Sequence, residues 1–459
     1  MVRTVSRRGY LHGLAALTAV ASGGVLAACG AAGTGSDGAP AASKVPVKLV
    51  LLHAWDEARL PLMEKMREEF QQRNKNITVD FDLTTTASGM ASPRVTKLVA
   101  SVAGGSPPDV SMIWRGELPA LALQSTLQTV DAFVNRDKFD SKMYYEAEWQ
   151  TSRYQNKTYV LPNVSAGAWY ANFYNRDHLK ENGYGADQAP ATFGDASSYL
   201  KKMTKMDGSR ITRIGGEVIG GAAGFILWTL NNNGKYLSED GKKALFDTAE
   251  TYEAMEWFQG FYDAVGGWSA AAAFNAPFAT ATAAQAPFTV GAQSQKLQNP
   301  SQIFHIKANN PAIDFGVTVP VYGPKAREGK SFIRGGWGYG LPAGGKNAAE
   351  GWLLTKWLSA TKEAAGWFMQ QQLRPSPMRE VNEDKYYLEK LPTTWPQVLK
   401  VMQKDVAVPI TPVDAEIDKA LSTAMDGIRD KKGAVRDLVR QAQLDAQREL
   451  DTFWARQGK

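Results

Sequence analysis

With a single cysteine in 459 residues, the chain can build neither a disulfide framework nor a cysteine metal cluster. Histidine is almost as scarce. His12, His53, His178 and His305 stand singly and no HExxH pair occurs, so no metal site is expected. There is no GxxxxGKS/T loop to cradle a nucleotide phosphate. The glycine stretch 338–343 fits a dinucleotide pattern only loosely, and Pro342 stands where a helix should open onto pyrophosphate, so no cofactor is expected. Asp80 with Asp82 and Glu146 with Glu148 are spaced at i and i+2. On a strand such pairs merely share a face and on a helix they do not, so a solvated surface explains them better than a catalytic acid and base. The chain is therefore not expected to be an enzyme. A run able to span a membrane is also lacking, because residues 14–28 are interrupted by Gly23 and Gly24 and fall short of the roughly 20 apolar residues a spanning helix needs.

What the amino terminus does hold is an ordered set of export features. Ser6, Arg7, Arg8, Gly9, Tyr10 and Leu11 resemble the twin-arginine export motif, in which paired arginines precede an apolar stretch. Leu26, Ala27, Ala28 and Cys29 resemble a bacterial lipobox, whose cysteine is lipidated before cleavage. This reading makes residues 1–28 a signal peptide, Cys29 a membrane anchor, and the Ala-, Gly-, Ser- and Pro-rich residues 30–46 a flexible tether. Residues 1–28 carry three arginines and no acid, so their loss lowers the formal net charge from +6 to +3. No dense basic run interleaved with aromatics is present, and nucleic acid is not an expected partner.

The remaining chain is too long for one ordinary domain and suits two lobes. Residues 47–53 form a continuous apolar run, 61–74 place Met63, Met66 and Phe70 at helical spacing, and 77–83 read as a second strand. A helix opening at Pro93 and a third strand over 109–113 complete a β-α-β-α-β order, which implies a mainly parallel sheet. Ligands sit beyond the carboxyl ends of such strands. Two of those ends carry His53, Ala54, Trp55, Asp56 and Met112, Ile113, Trp114, Arg115. Residues 158–175 suit an extended crossing between lobes, and 177–310 a separate unit with helices over 193–206 and 249–265. Strands over 315–320 and 332–342 are expected to return to the first lobe, followed by helices over 348–358, 414–429 and 434–454. No structure is assigned to the alanine-rich stretch 270–286.

Several separated blocks then resemble the carbohydrate-type extracellular solute-binding proteins, the maltose-binding-like family 1, over essentially all of the chain after Cys29. Pro107, Pro108, Asp109 and Val110 lead to Leu118. Tyr159, Val160, Leu161 and Pro162 are followed by Tyr174 and Asn175, then by Pro190, Thr192 and Phe193. Late in the chain come Gly335, Gly336, Trp337 and Gly338, the amphipathic 347–358, and Pro375, Ser376, Pro377, Met378 and Arg379. Phe193 stands where the family often has Trp, and the usual Phe, Gly and Met run is only loosely represented by Phe288, Gly291 and Ala292. The resemblance implies the two-lobe periplasmic-binding-protein-like fold of type II, with each lobe a mainly parallel sheet flanked by helices. It further implies crossing hinge strands, a ligand in the cleft, and delivery to separate permease subunits of an ABC transporter. The expected division is 47–161 plus 315–374 for one lobe and 162–314 plus 375–459 for the other, in a monomer held outside the cytoplasmic membrane.

Thirteen tryptophans are a large supply for such a chain, and an aromatic face covers the apolar CH face of a sugar. The candidate ligand-facing aromatics are Trp55, Trp114, Trp169, Tyr170, Trp228, Trp268 and Trp337, with Asp56, Arg115, Glu117, Asn163 and Arg334 as candidate orienting groups. Trp352, Trp357, Trp367 and Trp454 lie on helical patterns and are assigned to packing. The expected ligand is a mono- or oligosaccharide. A lipid-anchored glycoside hydrolase, or the same scaffold binding a phosphorylated polyol, polyamine or peptide, are the alternatives.

Overall fold

The structure, a computed structural model, describes residues 39–55, 59–84, 90–166 and 170–458. The export motif, Cys29, Asp56 and Trp169 lie outside those residues. Among the described residues no helix is long and apolar enough to cross a membrane.

The first five elements follow the apolar periodicity closely. They are Val47–His53, Leu60–Arg73, Ile77–Leu83, Pro93–Ala103 and Val110–Trp114. Val47–His53 pairs in parallel with both of the other strands, so all three begin at one edge and end at the other. Leu49, Leu51 and Leu52 are fully or almost fully buried, as a central parallel strand requires. Two further strands complete the first sheet. Trp337–Gly340 inserts antiparallel between Val110–Trp114 and Val160–Pro162. The helices Ala348–Ala360 and Lys362–Gln372 pack on this sheet through Trp352, Leu354, Trp357 and Phe368.

From Val160–Pro162 the chain crosses to a second sheet centred on Ala171–Asn175, flanked by Gln295–Gln298 and Phe315–Thr318. The two-lobe α/β class is the expected one, with two corrections within it. Both flanking strands run antiparallel to Ala171–Asn175, so the parallel order of the first sheet does not recur. Phe315–Thr318, expected to return to the first lobe, stays in the second sheet, and the returning strand is Trp337–Gly340. Beyond the second sheet a separate core gathers Phe225, Trp228, Phe258, Ile417, Leu421, Val439 and Leu450. It is enclosed by Gly221–Asn231, Ala249–Gly260 and the last two helices, Asp414–Arg429 and Val435–Arg456. The alanine-rich stretch left unassigned contains most of a helix, Trp268–Asn275. Between the sheets, Ser331–Ile333 pairs in parallel with Asp405–Ala407.

One close approach holds the second sheet together. Gly316 lies opposite Tyr174, whose ring is buried and whose hydroxyl donates to Asp187 at 2.8 Å. A Cβ at position 316 would come within 2.1 Å of the ring, so Gly316→Ala must displace it. We expect that variant to lose about 1–3 kcal/mol, the usual cost of overpacking, as a lower urea midpoint with an unchanged slope. An unchanged midpoint would mean that the ring is not held there.

Candidate functional site

Three tryptophans remote in sequence meet at the carboxyl edge of the first sheet. Trp337 and Trp114 are directly opposed residues of an antiparallel pair, and their rings stand edge to face with centroids 5.1 Å apart. Trp55, two residues beyond its strand, approaches Trp337 at 5.9 Å and leans on Phe368 at 5.9 Å. Its Nε1 donates to the Tyr339 hydroxyl at 3.2 Å. Trp55 is only 2% exposed whereas Trp114 and Trp337 are half-buried, so Trp55 is the prop and the other two present the open faces. The glycine block has a steric role here. A Cβ on Gly116 would sit 2.7 Å from the Trp114 indole, and one on Gly335 2.9 Å from it. Gly336 adopts φ +112°, and its missing Cβ leaves room for the Arg115 guanidinium.

Cations brace these rings from behind. The Arg59 guanidinium lies 4.9 Å from the Trp55 ring centre, and that of Arg94 5.1 Å from the Trp337 ring. Arg94 is fully buried, bonded to both carboxylate oxygens of Glu117 at 2.8 and 2.6 Å and to the Met112 carbonyl at 3.0 Å. Its side chain was not singled out by sequence reasoning, because a lone arginine at the start of a helix carries no pattern.

The polar candidates are placed less simply. Arg115 is completely buried, paired with the Glu148 carboxylate and donating to the Glu148 carbonyl at 2.6 Å and to Thr151 Oγ1 at 2.7 Å. Glu148, expected on a solvated surface, is thus an interior ion-pair partner. Glu117 is engaged by Arg94. Arg334 pairs with Asp414 at 2.9 Å and with Asp418, which ties the crossing segment to the helix Asp414–Arg429. Each of these charges has an ion-pair partner within the protein. Asn163 differs from them. Its Oδ1 accepts from Ser165 N at 2.9 Å, its backbone N donates to the Trp337 carbonyl at 2.9 Å, and its buried Nδ2 has no partner in the protein.

The structure does not bring every aromatic candidate to this edge. Trp228 is 2% exposed, donates to the Ile219 carbonyl at 2.9 Å and packs against Trp257 and Phe193 in the second lobe. Tyr170 starts the second-lobe side of the crossing, with its ring on Phe332 and its amide donating to Ser331 Oγ at 3.2 Å. Burial raises its phenol to about 12. Trp268 opens the helix Trp268–Asn275, half-buried between Tyr262 and the Arg429 guanidinium.

That helix ends on a polar group that sequence reasoning missed. Asn275 donates to the Glu217 carboxylate, and Gln293 Nε2 donates to its other oxygen at 3.0 Å. Burial raises the Glu217 carboxyl, while the two amides and nearby Lys296 act to lower it. Lys296 is itself held below the usual ammonium range by burial, against the attraction of Glu217. His305 is lowered by burial and then by Arg59, Lys296 and Arg374, so the group reaches from the second lobe to the cation that covers Trp55. Burial and Arg59 bring Arg374 down to about 10, against Glu148. The four residues at 217, 275, 293 and 296 share no motif, and the bridge between Ile214 and Gln293 is what brings the segment of Glu217 beside the strand Gln295–Gln298.

The comparisons agree with this architecture. A family model described as bacterial extracellular solute-binding protein matches residues 55–365. Among solved structures, CpMnBP1 with mannotriose bound is 21% identical, with a TM-score of 0.69 over 87% of this chain and 100% of that one. The sugar-binding protein MalE from the phytopathogen Xanthomonas citri is 17% identical, with a TM-score of 0.74 over 90% and 100%. A cyclo/maltodextrin-binding protein complexed with maltotetraose is 17% identical, with a TM-score of 0.70 over 89% and 99%. No curated protein matches the sequence. At these identities the likeness is one of fold.

The pair behind Trp337 can be tested directly. Arg94→Ala leaves the buried Glu117 carboxylate without its partner and should cost about 3–5 kcal/mol. The double variant Arg94→Met with Glu117→Leu should recover most of that loss in a urea titration. Equal destabilisation by both would show that the hydrogen bonds and charge of the pair are what matter, since apolar side chains of similar volume would then fail to replace it.

Proposed function

The chain belongs to the bacterial extracellular solute-binding protein family, and from that premise we propose that it captures a carbohydrate between its two lobes and delivers it to the permease of an ABC importer. The observation that carries the choice of ligand is the half-buried Trp114 and Trp337 pair at the carboxyl edge of the first sheet. An indole face takes the CH face of a pyranose, and hydroxyls at its rim need polar partners. The Asn163 amide offers a donor on the first-lobe side. The Glu217, Asn275, Gln293 and Lys296 group offers donors and acceptors on the other. Trp268, Asp56 and Trp169 belong to the same reading as further walls of the cleft. A ligand touching both lobes stabilises the closed form over the open one, and the permease distinguishes the two. Micromolar capture corresponds to about 8 kcal/mol, within reach of two stacked rings and several hydrogen bonds.

The lipobox-like Leu26 to Cys29 and the twin arginines support a lipid-anchored protein on the outer face of the cytoplasmic membrane or in the periplasm, acting as a monomer. The names of the solved relatives support an oligosaccharide, since mannotriose and maltotetraose are among their bound ligands. Arg59, Arg374 and Lys296, all three of which lower His305, make acidic sugars part of the range to test.

A thermal-shift screen of sugars, sugar acids, polyols, polyamines and peptides, with product analysis of every hit, identifies the ligand. Saturation at 100 times the dissociation constant should add about 2.7 kcal/mol of stability. For the ligand found, Trp337→Ala and Trp114→Ala should each weaken binding more than tenfold, about 1.4 kcal/mol, with the fold retained. Trp55→Ala should weaken binding and also lower the melting temperature, because that ring is interior. Unchanged affinity in the first two would move the site elsewhere, and a sugar cleaved during the assay would make the protein a hydrolase.

A further inference from the structure

Arg94, Arg115 and Arg334 each meet a carboxylate. Arg374 does not. Among the described residues no carboxylate lies within ion-pair distance of it, and its buried Nε has no hydrogen-bond partner in the protein. It follows the helix Lys362–Gln372, whose Phe368 supports Trp55 at 5.9 Å. The neighbouring Pro375 carbonyl accepts from Ala166 N at 2.8 Å, which ties Arg374 beside the crossing segment. The Arg59 guanidinium lies 4.9 Å from the Trp55 ring centre. Lys296 comes from the second sheet, where it stands opposite Phe173, and it too lacks a carboxylate at ion-pair distance among the described residues. His305 lies on the helix Ser301–Asn309, whose Ile303 and Ile306 join the same core as Trp55 and Phe368. Arg59, Lys296, His305 and Arg374 are all half-buried, unlike the fully enclosed Arg94 and Arg115.

These groups act on one another. Burial lowers the His305 imidazole, and Arg59, Lys296 and Arg374 lower it further. Like charges gathered in one place repel, and partial burial removes water that would screen them. The two carboxylates that offset this repulsion are engaged elsewhere, Glu148 with Arg115 and Glu217 with the amides of Asn275 and Gln293. We infer that the saccharide taken by this protein carries a carboxylate, held between Arg374 and Lys296 while Trp114 and Trp337 take the sugar faces. The inference rests on the carbohydrate reading above and narrows it to uronate-type sugars. A guanidinium presents a planar fork that matches both oxygens of a carboxylate, and an ammonium adds a point charge. A neutral sugar leaves both cations unmatched, so the same pair that favours the acid discriminates against its neutral counterpart.

The test is a calorimetric titration of the purified full chain with matched sugars. Glucuronate, galacturonate and mannuronate and their di- and trisaccharides are set against their methyl esters, the neutral sugars of the same linkage and the corresponding sugar phosphates. For the tightest-binding acid, affinity should exceed that of its ester and of its neutral counterpart by about tenfold or more, and the margin should shrink with added salt. Arg374→Gln and Lys296→Met should each reduce the margin to about threefold or less, and Arg374→Lys should keep part of it. Equal binding of acid and ester, tighter binding of the neutral sugar, a preference for phosphate, or a margin untouched by both variants would overturn the inference and leave the carbohydrate reading standing. If no saccharide of either kind binds, the carbohydrate reading fails and the inference with it. The comparison of acid with ester uses the unaltered protein, so its outcome stands even where a variant does not fold.

Discussion

The structure depends on one insertion, that of Trp337–Gly340 between Val110–Trp114 and Val160–Pro162. The strand arrives from the bridging segment between lobes and runs against the direction of its neighbour, so its first residue lands opposite the last residue of Val110–Trp114. That register is what makes Trp337 and Trp114 a cross-strand pair. A slip of one residue would turn Trp337 to the other face and bring Gly338 to the edge instead. The same strand hydrogen-bonds the start of the crossing, since Asn163 N donates to the Trp337 carbonyl. The tryptophan pair and the start of the crossing thus share a strand.

Buried charge braces this arrangement. Arg94 with Glu117 and Arg115 with Glu148 are interior pairs just beneath the edge. Replacing one partner leaves an uncompensated charge, whereas well-packed apolar pairs of similar volume can do as well for stability. What the pairs add is direction. Arg94 stacks on Trp337, and Arg115 ties the end of the third strand to the segment around Glu148 and Thr151. On the second-lobe side, the Glu217 carboxylate accepts from two side-chain amides, those of Asn275 and Gln293.

Much of this was legible in the sequence, and unevenly so. The strands Val47–His53 and Ile77–Leu83 and the helix Asp414–Arg429 are found at the residues where apolar periodicity placed them, because local pattern and burial point the same way. The glycine block at 335–338 was visible as a block, but its reason, room for Trp114 and Arg115, needs coordinates. Strand direction in the second sheet was not legible, since a short apolar strand reads the same either way. The partners of the buried arginines were hidden for a related reason. Arg115 and Arg334 sit where an orienting group should, and their ion-pair partners Glu148, Asp414 and Asp418 are distant in sequence. The Glu217 group had no signal at all in one sequence.

The central claim is that a sugar held against Trp114 and Trp337 draws the lobes together. It is tested most directly by the distance distribution between a spin label on the first lobe at Lys75 and one on the second lobe at Lys243, measured on the protein released after Cys29 with and without saturating sugar. The account predicts two populations without ligand that collapse to the shorter one with it, and a Trp337→Ala variant that needs more sugar to reach the same shorter distance. A distribution unmoved by a sugar that demonstrably binds would contradict it.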